Sequence, residues 1–171
     1  MRVIGGLFKG RKLTAPAGKD VRPTLDRVRE TLFDIIQFDV AGSVFFDLFA
    51  GSGAIGIEAL SRGASEVVFC DVNPKAVYKN LETVKAVSKV WECDFKKALN
   101  NYPAGYFDFI YVDPPFGTEH GLAALRLIGA KKLLKEGGKA VWEHLGAAPE
   151  VDGLKLIKSR KMLSFYGRDD E

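Results

Sequence analysis

The stretch Val44-Phe45-Phe46-Asp47-Leu48-Phe49 is followed directly by Ala50-Gly51-Ser52-Gly53-Ala54-Ile55-Gly56. Its first part is a short apolar run, which is typical of a buried strand, and the apolar residues after the glycines predict a helix through Leu60. Three glycines in the spacing Gly-x-Gly-x-x-Gly permit a tight strand-to-helix turn and a close approach of the backbone to a ligand. This spacing alone suits a dinucleotide equally well, so it favours a fold class without naming the ligand.

Strand-like and helix-like segments alternate along the rest of the chain. After the first unit we expect strands at residues 66–71, 90–94, 107–113 and 139–144. Helices are expected between them, beginning at residues 73–74, covering 95–101 and covering 122–134. Alternation of this kind predicts an α/β fold with a parallel sheet and helices on both faces. Two more apolar segments, residues 154–157 and 162–166, predict an antiparallel strand pair at the C-terminus.

An aspartate stands at the end of each of the first four predicted strands: Asp47, Asp71, Asp94 and Asp113. The carboxyl ends of strands in a doubly wound sheet share one rim, where ligands bind. Asp71 follows Gly51 by 20 residues, a position from which a carboxylate accepts ribose hydroxyls. Asp47 suits a ligand amine better than a pyrophosphate, and Asp94 is placed to accept from an adenine amine. Each aspartate alone is equally well explained as a helix N-cap, but four in register are much harder to explain so.

The fourth strand ends in Asp113-Pro114-Pro115-Phe116, and Gly117 then turns the chain. Consecutive prolines cannot continue a central ladder, so the strand stops and presents its end outward. A rigid strand end with a carboxylate beside an aromatic face is suited to hold a flat, amine-bearing group. Taken alone the motif is more often a strand terminator, but the aspartate series and the glycine turn favour the ligand-binding interpretation.

Residues 1–41 form a basic N-terminal part, which we expect to be an appendage rather than an independent domain, and residues 42–171 form the α/β body. Residues 3–15 predict a hairpin, and Thr24 is placed to cap a helix that runs to about Gln37. Three arginines, Arg22, Arg27 and Arg29, fall off the apolar stripe of that helix, where we expect them to be available to solvent or to phosphate.

The basic charge is concentrated at the N-terminus. Residues 1–30 carry eight Lys/Arg and three Asp/Glu, whereas the net charge of the whole chain is only +3. A basic appendage on a mildly acidic body favours a polyanionic partner. A solvated basic surface is the alternative, and charge alone does not decide between them.

Length and composition are those of an ordinary globular domain. The chain has 171 residues, of which 47% are hydrophobic and 27% are charged, which predicts one domain with a single core. No apolar run approaches the ~20 residues of a membrane span, and the N-terminus lacks a signal-peptide core, so we expect a cytoplasmic protein. Cys70 and Cys93 lie in apolar runs without a neighbouring histidine, which predicts core residues and no metal site.

The remaining polar and aromatic residues receive less specific expectations. His120 is expected in a solvent-facing loop just past the Asp-Pro-Pro-Phe motif, and His144 is given no role. Tyr106, Tyr111 and Trp142 are expected in the core or on strand faces.

The chain resembles class I S-adenosylmethionine-dependent methyltransferases over essentially its whole length. More closely, it resembles the RsmD family of bacterial 16S rRNA guanine-N2 methyltransferases. The most specific matching blocks lie near the N-terminus: Arg2-Val3-Ile4-Gly5-Gly6, Gly10-Arg11-Lys12-Leu13, Arg22-Pro23-Thr24 and Asp26-Arg27-Val28-Arg29-Glu30-Thr31-Leu32-Phe33. Further matches are Asp47–Gly53, Glu58-Ala59-Leu60-Ser61-Arg62-Gly63-Ala64 and Asp113-Pro114-Pro115-Phe116. The chain departs from the family at Asp71, where a Glu is commoner, so its reach to the ribose is shorter.

The resemblance implies a Rossmann-like seven-stranded methyltransferase sheet with a small N-terminal hairpin-helix extension. It implies S-adenosyl-L-methionine as cofactor, 16S rRNA or the small ribosomal subunit as substrate, no metal, no membrane, and a monomer. The implied cofactor-binding residues are Asp47, Phe49, Ala50, Gly51, Ser52, Gly53, Asp71, Val72, Asp94 and Phe95. The implied catalytic residues are Asp113, Pro114, Pro115 and Phe116. From charge and position, the residues expected to bind RNA are Lys9, Arg11, Lys12, Arg22 and Arg27.

The resemblance also implies a mechanism. A guanine is swung out of its RNA context, and its exocyclic N2 amine donates to the Asp113 carboxylate and the Pro114 carbonyl while Phe116 stacks on the base. Because the amine lone pair is conjugated with the ring, orientation toward the sulfonium methyl group supplies much of the rate. Asp113 is expected to accept a hydrogen bond; whether it also accepts a proton as charge develops stays open, because so good a leaving group does not require a general base.

Other functions stay open on the residues alone. Adenine-N6 nucleic-acid methyltransferases and glutamine-N5 protein methyltransferases also use Asx-Pro-Pro-aromatic loops. Asp rather than Asn, and Phe rather than Tyr, lean toward the guanine amine. A non-catalytic RNA-binding assembly factor would not require the carboxylate series, and a nicotinamide-dependent oxidoreductase has no use for the Asp-Pro-Pro-Phe loop. The chemistry of these residues alone supports methyl transfer to a planar nitrogen and does not identify the substrate.

Overall fold

The computed structural model describes residues 1–18 and 23–170, with the side chains of all of these except residues 23–25. Helices and strands alternate from Pro23 to Glu143 and two further strands follow, as the sequence predicts. In chain order they are α1 (Pro23–Ile36), β1 (Val44–Asp47), α2 (Ala54–Ser61), β2 (Glu66–Asp71), α3 (Lys75–Val84), β3 (Lys89–Glu92), α4 (Phe95–Leu99), β4 (Phe107–Val112), α5 (His120–Lys131), β5 (Leu134–Glu143), β6 (Leu154–Arg160) and β7 (Leu163–Arg168).

The strands form one seven-stranded sheet in the order β3-β2-β1-β4-β5-β7-β6. Strands β1 to β5 pair in parallel, while β7 is antiparallel to both β5 and β6. The predicted α/β sheet and its C-terminal antiparallel pair are therefore confirmed. The direction of strand addition reverses between β1 and β4, which makes their carboxyl ends the place where a crevice opens for a ligand.

Two apolar layers hold the helices against the sheet. On one face α1, α2 and α3 pack against Phe45, Phe109 and Val141, and the stacked rings of Phe33 and Phe45 lie 6.3 Å apart. On the other face α4 and α5 pack against strand residues such as Phe46 and Ile110. Because both faces of the sheet are covered, the central strands β1, β2 and β4 are apolar almost throughout.

Several element boundaries differ from the sequence-based expectation. Strand β1 stops at Asp47, two residues early, since the glycine turn already begins at Leu48. Helix α5 starts at His120, so the prediction that His120 lies in a loop is wrong. Strand β5 starts at Leu134, five residues earlier than predicted. The residues expected to separate helix from strand belong instead to an irregular part of β5, where the pairing shifts from Phe107–Leu134 to Phe109–Lys139.

The N-terminal segment, residues 1–15, is a loop bound to the body rather than a regular hairpin. Its two arms share a single antiparallel bridge between Arg2 and Lys12. Beside the bridge, the N–H groups of Val3, Gly10 and Leu13 donate to carbonyls of the opposite arm, and other backbone groups of the segment bond to side chains of α2 and α3. Ile4 and Gly5 donate to the two carboxylate oxygens of Glu58, each at 2.9 Å. Val3 and Leu13 are buried in the same layer as α1, so this segment shares the core of the sheet.

Arg29 is buried, contrary to the expectation that it faces solvent. Only 4% of it is exposed, and its Nη2 donates to the Arg2 carbonyl at 2.7 Å and to Asp26 at 3.3 Å. A long side chain can lie along an apolar helix face while its head group finds backbone acceptors, which periodicity does not reveal. Arg29 therefore fastens α1 to the N-terminal segment.

Two negative findings apply to residues 1–18 and 23–170. No helix there has the length and hydropathy needed to cross a membrane. No group of three or more His, Cys, Asp or Glu side chains there is arranged to hold a metal ion.

Candidate active site

The reversal point of the sheet brings the two motifs of the sequence together. Asp47 pairs with Tyr111 across β1 and β4, and the backbone N–H of Leu48 donates to the Tyr111 carbonyl at 3.1 Å. The glycine turn leaves β1 at this point, and Asp113 follows β4 two residues after Tyr111. A ligand on the glycine turn and a ligand on the Asp-Pro-Pro-Phe segment are therefore neighbours.

The glycine turn has the geometry that its sequence predicts. Gly53 caps α2 with φ of 80°, a left-handed conformation that costs glycine little. Its N–H donates to the Ala50 carbonyl at 2.7 Å, and the Ala50 N–H donates to the Cys70 carbonyl at 2.9 Å. Gly56 lies so close to the Phe69 ring that a Cβ would meet it at 2.3 Å. The first and second glycines shape the loop, and the third lets α2 pack on β2.

Asp47 is buried beneath this turn, with 1% of its surface exposed. Its Oδ2 accepts the backbone N–H of Gly56 at 3.0 Å. Burial raises the pKa of Asp47 from 3.8 to about 7, the Gly56 hydrogen bond opposes this shift, and the charge of Asp71 adds to it. Asp47 thus ties the start of α2 to β1, and its predicted contact with a ligand amine stays a prediction.

Asp71 and Asp94 stand at the rim and also hold backbone. Asp71 Oδ2 accepts the Gly51 N–H at 2.8 Å, and its Oδ1 accepts the Asn73 N–H at 2.9 Å. Asp94 caps α4 by accepting the Lys96 N–H at 2.8 Å, the structural role weighed from sequence. Since each carboxylate oxygen has two lone pairs, these bonds leave acceptor capacity for ribose hydroxyls and an adenine amine.

Apolar and aromatic groups surround these carboxylates. Val72, next to Asp71, is 75% exposed. The rings of Phe49 and Phe95 lie 5.1 Å apart, and the His120 ring lies nearly parallel to Phe49 at 6.4 Å. An exposed aliphatic residue and a ring cluster beside two acceptors match the flat, apolar faces and polar edges of a nucleoside.

The Asp-Pro-Pro-Phe segment forms an ordered projection from the end of β4. Asp113 and Pro114 are partly buried, Pro115 is exposed, and the Thr118 hydroxyl donates to the Pro115 carbonyl at 2.7 Å. Phe116 is 92% exposed, which is unusual for so large an apolar side chain. This exposure provides an unpacked ring face beside a carboxylate.

Sequence reasoning did not identify Glu143, which ends β5. The buried hydroxyl of Tyr111 donates to Glu143 Oε1 at 2.9 Å. Burial raises the pKa of Tyr111 well above its usual range, and the charges of Glu143, Asp113 and Asp47 raise it further. Glu143 is therefore bonded to this hydroxyl, and the charges of Asp113 and Asp47 act on it from the same end of the sheet. The signal available in the sequence was an acidic residue, Glu143, near the end of the strand predicted at residues 139–144.

The buried polar residues that hold the N-terminal segment were also missed. Glu58 and Asn80 are fully buried, and Ser61 is 4% exposed. Glu58 also forms a 2.9 Å ion pair with Arg62 one turn later. No local pattern in the sequence signals their burial, because Glu58 and Ser61 bond to backbone groups of a segment more than 50 residues away.

The predicted RNA-binding residues lie at different ends of the molecule. Lys9, Arg11, Lys12 and Arg27 are exposed, and Arg22 lies outside the described residues. Lys9 belongs to the turn next to Gly6 and Leu7, and the Leu7 N–H donates to the Ser61 carbonyl at the far end of α2. Because α2 starts at the rim and has eight residues, Lys9 lies about 12 Å along the helix axis from the glycine turn.

Comparisons with known proteins agree along the chain. The family model described as "Conserved hypothetical protein 95" matches residues 1–166. The chain is 41% identical over 170 residues to YlbH of Bacillus subtilis, covering 94% of this chain and 92% of YlbH. It is 39% identical over 144 residues to "Ribosomal RNA small subunit methyltransferase D" of Haemophilus influenzae, covering 79% of this chain and 74% of that protein.

A solved structure matches the whole chain in three dimensions. The structure of yhhF from Escherichia coli has a TM-score of 0.84 and 30% sequence identity, covering 100% of this chain and 99% of that chain. The match therefore includes the N-terminal segment and α1 as well as the sheet.

Proposed function

Because this chain belongs to the RsmD family of ribosomal RNA methyltransferases, we propose that it transfers a methyl group from S-adenosyl-L-methionine to the exocyclic N2 amine of a guanine in 16S rRNA. The seven-stranded sheet is that of class I methyltransferases. We further propose that the protein acts in the cytoplasm, as a monomer, on the small ribosomal subunit or its RNA.

The observation that carries this proposal is the position of Asp113-Pro114-Pro115-Phe116 next to the glycine turn, at the reversal point of the sheet. The Asp113 carboxylate and the Pro114 carbonyl are the acceptors proposed for the two N–H groups of the guanine amine. The exposed Phe116 ring is proposed to stack on the base, and Pro115 fixes the direction of the ring. Residues on a rigid strand end orient the amine, which is the main contribution asked of them.

The cofactor is proposed to lie along the carboxyl ends of β1, β2 and β3. The sulfonium of the bound cofactor supplies an activated methyl group. Phe49, Ala50, Gly51, Ser52 and Gly53 form the turn against which its amino-acid part would lie. Asp71 is proposed to accept ribose hydroxyls, Asp94 to accept from the adenine amine, and Val72 and Phe95 to contact the adenine faces. Asp47 is proposed to act from below, by holding the turn, and the amine of a bound cofactor would favour its ionised form.

Exposed cations are proposed to hold the RNA backbone. Lys9, Arg11 and Lys12 line the N-terminal segment, Arg27 lies on α1, and Arg22 precedes that helix. Contacts of this kind position RNA without reading its sequence. Lys9→Ala combined with Arg11→Ala is expected to weaken RNA binding and flatten its salt dependence, with unchanged affinity for the cofactor. An unchanged salt slope would exclude these residues as phosphate contacts.

The test is methylation of small ribosomal subunits, or their 16S rRNA, from cells that lack this gene. The protein is incubated with radiolabelled S-adenosylmethionine, and the RNA is digested to nucleosides and resolved by chromatography. We expect label in N2-methylguanosine, abolished by Asp113→Ala and retained by Asp152→Ala, an exposed aspartate in the β5–β6 connection. Label in another nucleoside would reject the guanine target, and absence of label with intact cofactor binding would reject an RNA substrate.

A further inference from the structure

We infer that the β6–β7 turn, through Arg160 and Lys161, forms an RNA-phosphate contact at the catalytic rim together with Arg27 of α1. This inference deepens the proposed function and rests on its RNA substrate. It assigns a role to the C-terminal strand pair, which none of the motif residues explains. It also adds a second basic surface, distinct from the one on the N-terminal segment.

The strand register places this turn on the catalytic side of the sheet. Glu143, the last residue of β5, pairs with Leu163, the first residue of β7. The His144 N–H donates to the carbonyl of Met162 at 2.9 Å, so the turn is bonded to the chain just beyond β5. Because β7 is antiparallel to β5, the turn that precedes β7 lies at the carboxyl ends of the parallel strands.

The same register brings the turn close to the proposed catalytic segment. Val112, which precedes Asp113, pairs with Trp142, which precedes Glu143. Neighbouring strands lie 4.7–4.9 Å apart, so the start of β7 is about 10 Å from the end of β4. In contrast, Lys9 lies about a helix length away from the rim. Phosphates adjoining a base held at Asp113 would therefore meet the β6–β7 turn before they meet Lys9.

A cleft separates the turn from α1. Its volume is about 390 Å³, and the residues lining it are Arg27, Glu30, Thr31, Asp34, Arg160 and Lys161. Val28 of α1 and Leu163 of β7 belong to the same buried layer, which fixes the two walls relative to each other. The cleft lies on the face of the sheet to which Tyr111, two residues before Asp113, points.

The charges that line the cleft suit the phosphate backbone of RNA rather than a base. Three cations line it, and Arg27, Arg160 and Lys161 are all exposed. Glu30 and Asp34 line the α1 wall and are exposed as well. These carboxylates repel an anion placed deep between the walls, so the favoured position for a phosphate is at the mouth, beside the turn. A mixed cleft also disfavours tight binding of a free small anion.

Lys161 in this turn has a counterpart elsewhere in the fold that serves as a control. Lys161 adopts φ of 55°, a left-handed conformation that few residues other than glycine take. Lys132 at the end of α5 has a similar φ of 52° and is also exposed, but it lies at the opposite end of the sheet, beside Gly105. Lys132 is therefore a matched control for the loss of an exposed lysine in a left-handed turn.

The experiment measures binding of 16S rRNA, as naked RNA and as small subunits, at several salt concentrations. It compares the wild-type protein with Arg160→Gln/Lys161→Gln and with the control pair Lys131→Gln/Lys132→Gln. We expect the turn variant to bind about tenfold or more weakly, and its log–log salt slope to fall by about 1.4 to 1.8, the value for two lost phosphate contacts. Its affinity for S-adenosylhomocysteine, measured by calorimetry, is expected to equal that of the wild type.

The outcomes separate this inference from the proposed function. If the wild type methylates 16S rRNA but the turn variant keeps the wild-type salt slope, the inference is wrong and the proposed function stands. The inference is also wrong if the control pair loses as much slope as the turn variant, because the effect is then one of net charge. If the wild type neither binds nor methylates the RNA, the proposed function itself fails.

Discussion

Asn80 and Thr14 exchange two hydrogen bonds, from the Thr14 N–H to Asn80 Oδ1 and from Asn80 Nδ2 to the Thr14 carbonyl, each 2.8 Å long. Asn80 Nδ2 also donates to the Ser52 carbonyl at 2.8 Å. One fully buried amide of α3 therefore joins the N-terminal segment to the glycine turn. The segment that carries the proposed RNA contacts and the loop that holds the cofactor share this anchor.

Replacement of this anchor is expected to affect both parts. Asn80→Ala removes the three hydrogen bonds of a fully buried amide, so the free energy of unfolding should fall by about 2 to 4 kcal/mol. Urea unfolding measures this loss. The control is Asn101→Ala, which removes an exposed amide that donates to the Lys97 carbonyl. Equal losses for the two variants would contradict the role given to Asn80.

Substitutions at Gly6 and Gly10 distinguish the destabilisation caused by a close contact from that caused by backbone strain. Both have positive φ, 78° and 85°. A Cβ on Gly6 would lie 2.0 Å from the Ser61 carbonyl oxygen, whereas a Cβ on Gly10 would meet nothing within 4 Å. Gly10→Ala is expected to cost about 1 kcal/mol from strain alone. Gly6→Ala is expected to cost at least about 2 kcal/mol more and to release the segment from α2, measured by thermal unfolding and by proteolysis near residue 6.

Asp47 predicts a pH dependence of stability. Burial raises the pKa of its carboxyl from 3.8 to about 7, so between these values the folded protein holds a proton that the unfolded chain has released. Stability contributed by this group therefore decreases as the pH rises from about 4 to about 7. Asp47→Asn removes the titration while its amide oxygen still accepts from Gly56.

The difference between wild type and Asp47→Asn isolates this effect. Between about pH 4.5 and about pH 7.5, the wild type should lose on the order of 2 to 3 kcal/mol of stability relative to the variant, without cofactor. Asp152→Asn, at an exposed position, is expected to follow the wild type. Parallel stability curves for the wild type and Asp47→Asn would show that Asp47 is ionised in the folded protein at acidic pH.

The order of the elements and the aspartate rim could be predicted from the sequence, because apolar runs and strand ends leave a local pattern. Burial of polar groups leaves no such pattern. Arg29 and Glu58 are buried only because a distant backbone segment offers them partners. The irregular start of β5 depends on its pairing with β4. Asp94 can cap a helix whether or not a ligand lies nearby, so its position in the sequence does not reveal a ligand contact. Apart from the Asp94 cap, which is local, each of these features depends on contacts between segments far apart in the chain.

Asp71 and Asp94 are expected to differ in their effect on cofactor affinity. Asp71→Ala removes the proposed ribose acceptor and also releases the Gly51 N–H, so the affinity for S-adenosylhomocysteine should fall by at least about tenfold. Asp94→Ala removes the cap of a five-residue helix and one proposed contact, with a smaller expected loss. Calorimetry on both variants measures the ranking, and the reverse order would place the ribose away from Asp71.

Phe116 is expected to matter for catalysis and not for stability, and Phe38 provides the comparison. The two side chains are 92% and 90% exposed, but Phe38 lies just beyond the end of α1, away from the Asp-Pro-Pro-Phe segment. Loss of a base-stacking ring costs ~1–3 kcal/mol, so Phe116→Ala should lower kcat/KM for the RNA about 5- to 150-fold. Phe38→Ala should leave it unchanged, and neither variant should change the melting temperature. If both variants kept full activity, the exposed ring at the end of β4 would not be the platform for the base.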